Sequence, residues 1–244
     1  MDDKLSLVDP DQTRVAAIGA GYAGSLNLSL AESRDLGAAL GAEFFILGDA
    51  QTLRRSPSIG AIYFESYASV FLVSARTGRL VSWQRPSVRK AKAEEAEQFV
   101  LAELSSAEMR QRIANAIRAT KDAERGERQL AVEQPPPVIA AAPDDEKVAE
   151  NDGLRLPRPY RRLVPAYPST AEEAEVEATV DVLADIDADG EVMRVEVARW
   201  AGFGLDESTV KTVSQLHFFP AMRNGVRVPL RVLLRYNFRK PPRT

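Results

Sequence analysis

Asp185, Asp187, Asp189, Gly190 and Glu196 occupy positions one, three, five, six and twelve of an EF-hand calcium loop, whose oxygen ligands surround the ion. Such a loop needs a helix on either side. Here alternating apolar residues flank it, and Gly202 and Gly204 break any exit helix, so the stretch reads as a hairpin turn. Cation binding by Asp185, Asp187, Asp189 and Glu196 is left open. Gly19-Ala20-Gly21-Tyr22-Ala23-Gly24 satisfies the G-x-G-x-x-G pattern that lets a backbone approach a pyrophosphate. That fingerprint follows a strand, whereas Asp9-Pro10-Asp11 upstream is a helix start, so the glycines read as a helix end and turn. A nucleotide-dependent reaction there is the weakest reading. His217 is the only histidine and there is no cysteine, which excludes histidine triads, multi-histidine metal sites and thiolate chemistry. His217 is expected at a helix end near the core, and no serine sits in a nucleophile elbow. The chain is therefore not read as an enzyme, and no catalytic residue, cofactor or metal is assigned.

A chain of 244 residues is long enough for two modest domains, and 45% hydrophobic with 27% charged residues is ordinary globular composition. A net charge of −3 argues against nucleic acid as a partner. Charge is nevertheless polarised: residues 208–244 hold eight Lys or Arg and no acid, whereas residues 172–207 hold twelve acids against Arg194 and Arg199. No run reaches the ~18 apolar residues of a membrane-spanning helix, and residues 1–10 are too polar for a signal peptide.

The elements that must position these residues fall into two groups. Helices are expected near 10–18, behind the Asp9-Pro10 cap, and near 30–40, behind a Ser29/Glu32 capping box. Strands follow at 44–53, 61–75 and 79–84, separated by Ser56-Pro57 to Gly60 and by Thr77-Gly78. Two more helices carry Ala96, Phe99, Val100 and Leu104, then Met109, Ile113, Ala116 and Ile117 behind Ser105/Glu108. Residues 126–157, with Gln134-Pro135-Pro136-Pro137 and an alanine run, read as a linker.

Beyond the linker the alternation is sharp. Val176, Ala178, Val180, Val182, Ala184 and Ile186 share one face of a strand, and Met193, Val195 and Val197 continue it across the 187–190 turn. Asp206 is expected to cap a helix bearing Val210, Val213 and Leu216. In residues 226–238 every even position is apolar, whereas Arg227, Arg231, Arg235 and Arg239 share the other face, which predicts one long strand. Pro229, lacking an N–H, places part of that strand at a sheet edge open to pairing. Trp83 and Trp200 read as packing residues.

Pro165-Ala166-Tyr167-Pro168, Ile186 to Gly190 with Glu191-Val192, Trp200-Ala201-Gly202-Phe203-Gly204-Leu205-Asp206, Phe218-Phe219-Pro220-Ala221, Asn224-Gly225-Val226 and Tyr236-Asn237-Phe238 follow one another in an order and spacing that resembles the TonB C-terminal family. The resemblance covers the last third of the chain. It implies a periplasmic domain that captures an extended, TonB-box-like peptide of an outer-membrane receptor, or of another envelope protein, beside its last strand. Carried over by position, the partner-binding residues are Tyr167, Pro168, Arg227, Val228, Leu230, Arg231, Val232, Leu233, Leu234, Arg235 and Tyr236. The arginine face would steer an acidic partner, or else is simply a solvated strand face. Energy transducers of that family carry an N-terminal membrane helix; any anchor or signal is expected outside this sequence.

Residues 36–48 and 73–80 are similar, in a degenerate way, to the α/β domains of TolB-like and curli-secretion-lipoprotein-like envelope proteins. The fold expected is α+β in two domains: an N-terminal α/β sandwich over 1–125 with a three-stranded antiparallel sheet, the 126–157 linker, and a TonB-like β-β-α-β module over 158–244. The function expected is a cell-envelope adaptor, or an energy-transducer-like protein, acting by strand addition. The alternative is an envelope-assembly scaffold whose last strand mediates homodimerisation.

Overall fold

The computed structural model describes residues 5–143 and 145–240; residues 1–4, 144 and 241–244, which include parts of the polar N-terminal and basic C-terminal stretches, lie outside the described residues. The architecture is α+β, with helices beside antiparallel sheets. The chain divides into two compact units, one of Met1–Leu26 and Ala31–Gln134, the other of Asn27–Leu30 and Pro135–Thr244. Among the described residues no helix is long and apolar enough to cross a membrane.

In the first unit Asp9 caps α1 (Pro10–Gly19), its carboxylate accepting the Asp11 and Gln12 N–H groups at 3.0 Å. The glycines that follow end this helix: Gly21 and Gly24 are left-handed at φ 73° and 86°, and among the described residues no strand precedes them. Gly37 of α2 (Leu30–Leu40) lies so close to Ala75 that any side chain there would overlap it. The sheet contains β1 (Phe44–Arg55), β2 (Tyr63–Ser74), β3 (Leu80–Gln84) and β4 (Ser87–Lys90), one strand more than expected. β1 pairs along one side of β2, while β3 and β4 share the other side end to end. Arg85-Pro86 interrupts them, and polar Ser87, Arg89 and Lys90 give β4 no alternation to read.

α3 (Ala93–Leu104) packs Ala96 and Val100 against this sheet. α4 (Ala107–Glu133) is capped by Ser106, which accepts the Met109 N–H at 3.0 Å, and not by Ser105. It also runs through Gly126 to Glu133, well into the expected linker. Glu124 ties α4 to the Thr77-Gly78 turn: its buried carboxylate accepts from Ser74 Oγ at 2.6 Å, Arg76 Nε at 2.7 Å and Thr77 Oγ1 at 3.1 Å. Burial pushes this carboxyl's pKa up, but the hydrogen bonds from Ser74, Arg76 and Thr77 and the Arg76 charge outweigh it, leaving the pKa lowered.

The second unit contains α5 (Glu146–Asn151), β5 (Leu154–Arg155), β6 (Arg158–Pro159), α6 (Ser169–Glu173), β7 (Ala178–Ile186), β8 (Val192–Arg199), α7 (Leu205–Val213), β9 (Phe218–Phe219), β10 (Ala221–Arg223), β11 (Val226–Val228) and β12 (Leu230–Phe238). The main sheet is ordered β12-β7-β8; smaller sheets are β11-β10-β5 and β6-β9. Val180, Val182, Ala184 and Ile186 of β7 are fully buried, together with Leu205 and Val213 of α7 and with Leu230. Trp200 is buried here as a packing residue. The even-numbered face of the last strand turns inward, as its alternation requires, but the single strand over 226–238 is two. Pro229 separates β11, which pairs with β10 across the Asn224-Gly225 turn, from β12, which pairs with β7.

Candidate strand-pairing edge

The acidic string lies on the β7–β8 hairpin. Asp187 Oδ1 accepts the Asp189 and Glu191 N–H groups, both at 2.9 Å, and strands flank the turn where an EF-hand has helices. Gly190 has φ 93°, and a Cβ there would overlap the Phe218 carbonyl oxygen. His217 is exposed, not near the core, with Nδ1 at 2.8 Å from a Glu191 carboxylate oxygen. Asp206 caps no helix end: Gly204 holds that position, and the Asp206 carboxylate turns back to accept the Ala201 and Gly202 N–H groups at 2.8 Å. Burial raises its pKa to about 6 against those two hydrogen bonds.

β12 lies at an edge, paired with β7 alone among the strands. Directly opposed residues include Arg231 with Asp185, Leu233 with Leu183, Arg235 with Asp181 and Asn237 with Thr179. Two of the four arginines on that face are therefore paired with aspartates of β7. Arg231 donates through Nε and Nη2 to the two Asp185 oxygens at 2.5 and 2.8 Å, and Arg235 does the same to Asp181 at 2.7 and 2.9 Å. Its hydrogen bond with Asp185 pushes the Arg231 pKa further up. Asp181 and Asp185, expected on an open polar face, are buried beneath these guanidinium groups. Arg227 makes only a looser contact, 3.4 Å to Asp189.

The main chain of β12 has a definite polarity. Arg231 turns both its N–H and its C=O away from β7: the N–H donates to Ala140 O at 2.9 Å, and the C=O accepts the Ala142 N–H at 2.7 Å. Ala141 thereby forms a parallel bridge with Arg231. Successive residues alternate, so Leu233, Arg235 and Asn237 present their N–H and C=O groups on that same outer side. No described residue pairs with those groups. Leu233 also leaves 48% of its surface exposed.

The candidate residues separate accordingly. Leu230 and Val232 are buried in the core, Leu234 and Tyr236 are half-buried on the same face, and burial pushes the Tyr236 pKa up. Arg227 and Val228 lie in β11, in a different sheet. Tyr167 reaches the far end of β12, its ring centroid 6.3 Å from that of Phe238, and its hydroxyl donates to Val176 O at 2.6 Å. Burial, then the nearby Glu177, Glu172 and Glu175 charges, raise the Tyr167 pKa. Pro168 sits at the N-terminus of α6, against Gly204.

Two contributors had escaped the residue patterns. Asn27 bonds β7 where β8 ends: its Oδ1 accepts the Thr179 N–H at 3.1 Å, and Nδ2 donates to Thr179 O at 2.9 Å and Trp200 O at 2.5 Å. The other is the Ala140–Ala142 segment; neither an isolated amide nor an alanine run signals a distant strand. The Arg–Asp pairs did leave a signal, because Asp181 and Asp185 repeat at the four-residue spacing of Arg231 and Arg235, and one antiparallel register satisfies both.

Residues 164–239 match the family described as Gram-negative bacterial TonB protein C-terminal. The solution NMR structure of the Pseudomonas aeruginosa TonB CTD is 24% identical, covering 36% of this chain and 90% of its own, with a TM-score of 0.31. No curated protein matches the chain. The second unit thus carries, over residues 164–239, a TonB-family C-terminal domain, a cell-envelope module of the energy-transducer and adaptor type.

Proposed function

We propose that this protein is a periplasmic adaptor, or an energy-transducer-like protein, that captures an extended peptide of an outer-membrane partner as an added strand along β12. The observation that carries the reading is the unpartnered outer main chain of Leu233, Arg235 and Asn237 on an edge strand. Strand addition draws affinity from main-chain hydrogen bonds and selectivity from alternate side chains. Each such bond contributes a net ~0.5–1.5 kcal/mol, and association itself is costly, so a few of them give binding on the order of micromolar to millimolar. Because Asp185 pairs with Arg231, and Asp181 is shared by Arg235 and Arg199, these arginines are already engaged within the sheet, and the affinity depends weakly on salt. Tyr167 stands beside the strand's C-terminal end, where an incoming peptide would meet an aromatic surface.

The reading is tested by titrating the chain with extended peptides from outer-membrane receptor plugs, in low and high salt. Saturable binding that survives salt supports it; no binding at near-millimolar peptide by a folded chain sinks it. The same edge in a second copy is the competing occupant. Sedimentation showing a concentration-dependent dimer that Leu233→Pro abolishes would favour the homodimeric scaffold.

A further inference from the structure

The outer side of β12 is open only beyond Arg231. At Arg231 both main-chain groups are already taken by Ala140 and Ala142, so another strand cannot use that position while the segment is in place. We infer that this segment, tethered within the chain between α4 and α5, competes with the partner strand for the β12 edge, which makes the module partly self-closed. The inference rests on the strand-addition reading.

Three features give the segment the character of a competitor. It runs parallel to β12 and satisfies Arg231 by main-chain bonds alone, the mode an added strand would use. Its grip is small: alanine side chains bring no polar group, the contact is one isolated bridge, and Val138 just upstream is fully exposed. It is also intramolecular, so its effective concentration is about millimolar without any need for tight packing. Two net hydrogen bonds hold such a contact closed by a factor of about ten, which lowers the apparent affinity of an outside strand by the same factor.

The test uses the full chain and Ala142→Pro, which removes the donor to Arg231 O and itself lies in no strand or helix. Both proteins are titrated with the receptor-plug peptide that the wild type binds best, and backbone amide exchange is followed at Arg231, Leu233 and Arg235 in both and at Ala142 in the wild type. The expected result is an Ala142 amide in the wild type that exchanges more slowly than those of Leu233 and Arg235, and about tenfold tighter peptide binding by the variant. If the proline variant misfolds, deletion of residues 138–142, which removes both main-chain partners of Arg231, serves the same comparison. Equal affinities, or an Ala142 amide as unprotected as that of Leu233, overturn the competitor and leave strand addition standing. Absence of binding by either folded protein overturns the strand-addition reading itself, and this inference with it.

Discussion

Arg231 and Asp185 face each other across β12 and β7, joined by two parallel hydrogen bonds of 2.5 and 2.8 Å, while the Arg231 main chain holds Ala140 and Ala142 on its other side. The residue that looks like a free cation in the sequence is thus engaged with the protein's own groups in both directions. On the proposed strand-addition reading, recognition at this edge would draw on the backbone, because the Arg231 side chain already holds β12 to β7.

Removing Arg231 leaves the buried Asp185 carboxylate unpaired, whereas replacing both partners by apolar residues removes the problem. Arg231→Leu should destabilise the second unit by about 2–4 kcal/mol, and the Arg231→Leu/Asp185→Leu double variant by much less, a coupling measurable in urea unfolding as a double-mutant cycle. Additive effects would mean that the pair is only a surface contact.

Gly190 combines a left-handed backbone with the space reserved for the Phe218 carbonyl, and the Phe218 N–H donates to Gly190 O at 2.9 Å. Gly190→Ala should lower stability by about 2 kcal/mol or more and loosen the contact between the hairpin turn and β9. Thermal unfolding reads the first effect. Faster exchange of the Phe218 amide reads the second, and an unchanged midpoint would contradict both.

Asp206 titrates at about 6 in the folded chain against an ordinary 3.8. Between these values the folded chain binds more protons than the unfolded chain, so the contribution is complete below the lower value and is lost as pH rises through about 6. The loss amounts to about 3 kcal/mol. Urea midpoints of the wild type, taken from pH 4 to pH 7, should fall relative to those of Asp206→Asn, which has no carboxyl to titrate. Curves that stay parallel would refute this role.

Asn27 supplies both a donor and an acceptor to Thr179 and a second donor to Trp200. Asn27→Ala leaves these main-chain groups unpaired, and Asn27→Asp keeps the acceptor while placing an oxygen against two carbonyls. Both should destabilise the second unit, Asp at least as much as Ala, with Ala costing about 2 kcal/mol in chemical unfolding. An Asp variant as stable as the wild type would show that the amide donors are dispensable.

Period-two alternation made β7, β8 and the inward face of β12 legible, because each sheet face is consistently core or not, and the Asp9-Pro10 start of α1 was equally plain. The break at Pro229 was visible only as a tendency toward an edge; that β11 departs to another sheet depends on pairing with β10, which no local pattern encodes. β4 was hidden because a proline and polar residues replace alternation where β2 supplies the pairing. Asp206 misled for a related reason: its position before a helix suits a cap, but the loop at Ala201 and Gly202 offered its carboxylate nearer donors. At the candidate site the strand was readable, whereas the guanidinium partners required a register and the Ala140–Ala142 contact required the fold.

The most direct test of strand addition is amide exchange across β12 in the full chain, with and without a receptor-plug peptide, for the wild type and Leu233→Pro. The Leu233 N–H points outward, so proline there removes a donor from the edge and none from the β7 ladder. Strand addition along β12 requires that peptide slow the exchange of Leu233, Arg235 and Asn237 in the wild type, and that the folded proline variant lose the binding. Peptide binding that leaves those three amides unprotected, or that survives Leu233→Pro undiminished, would contradict it.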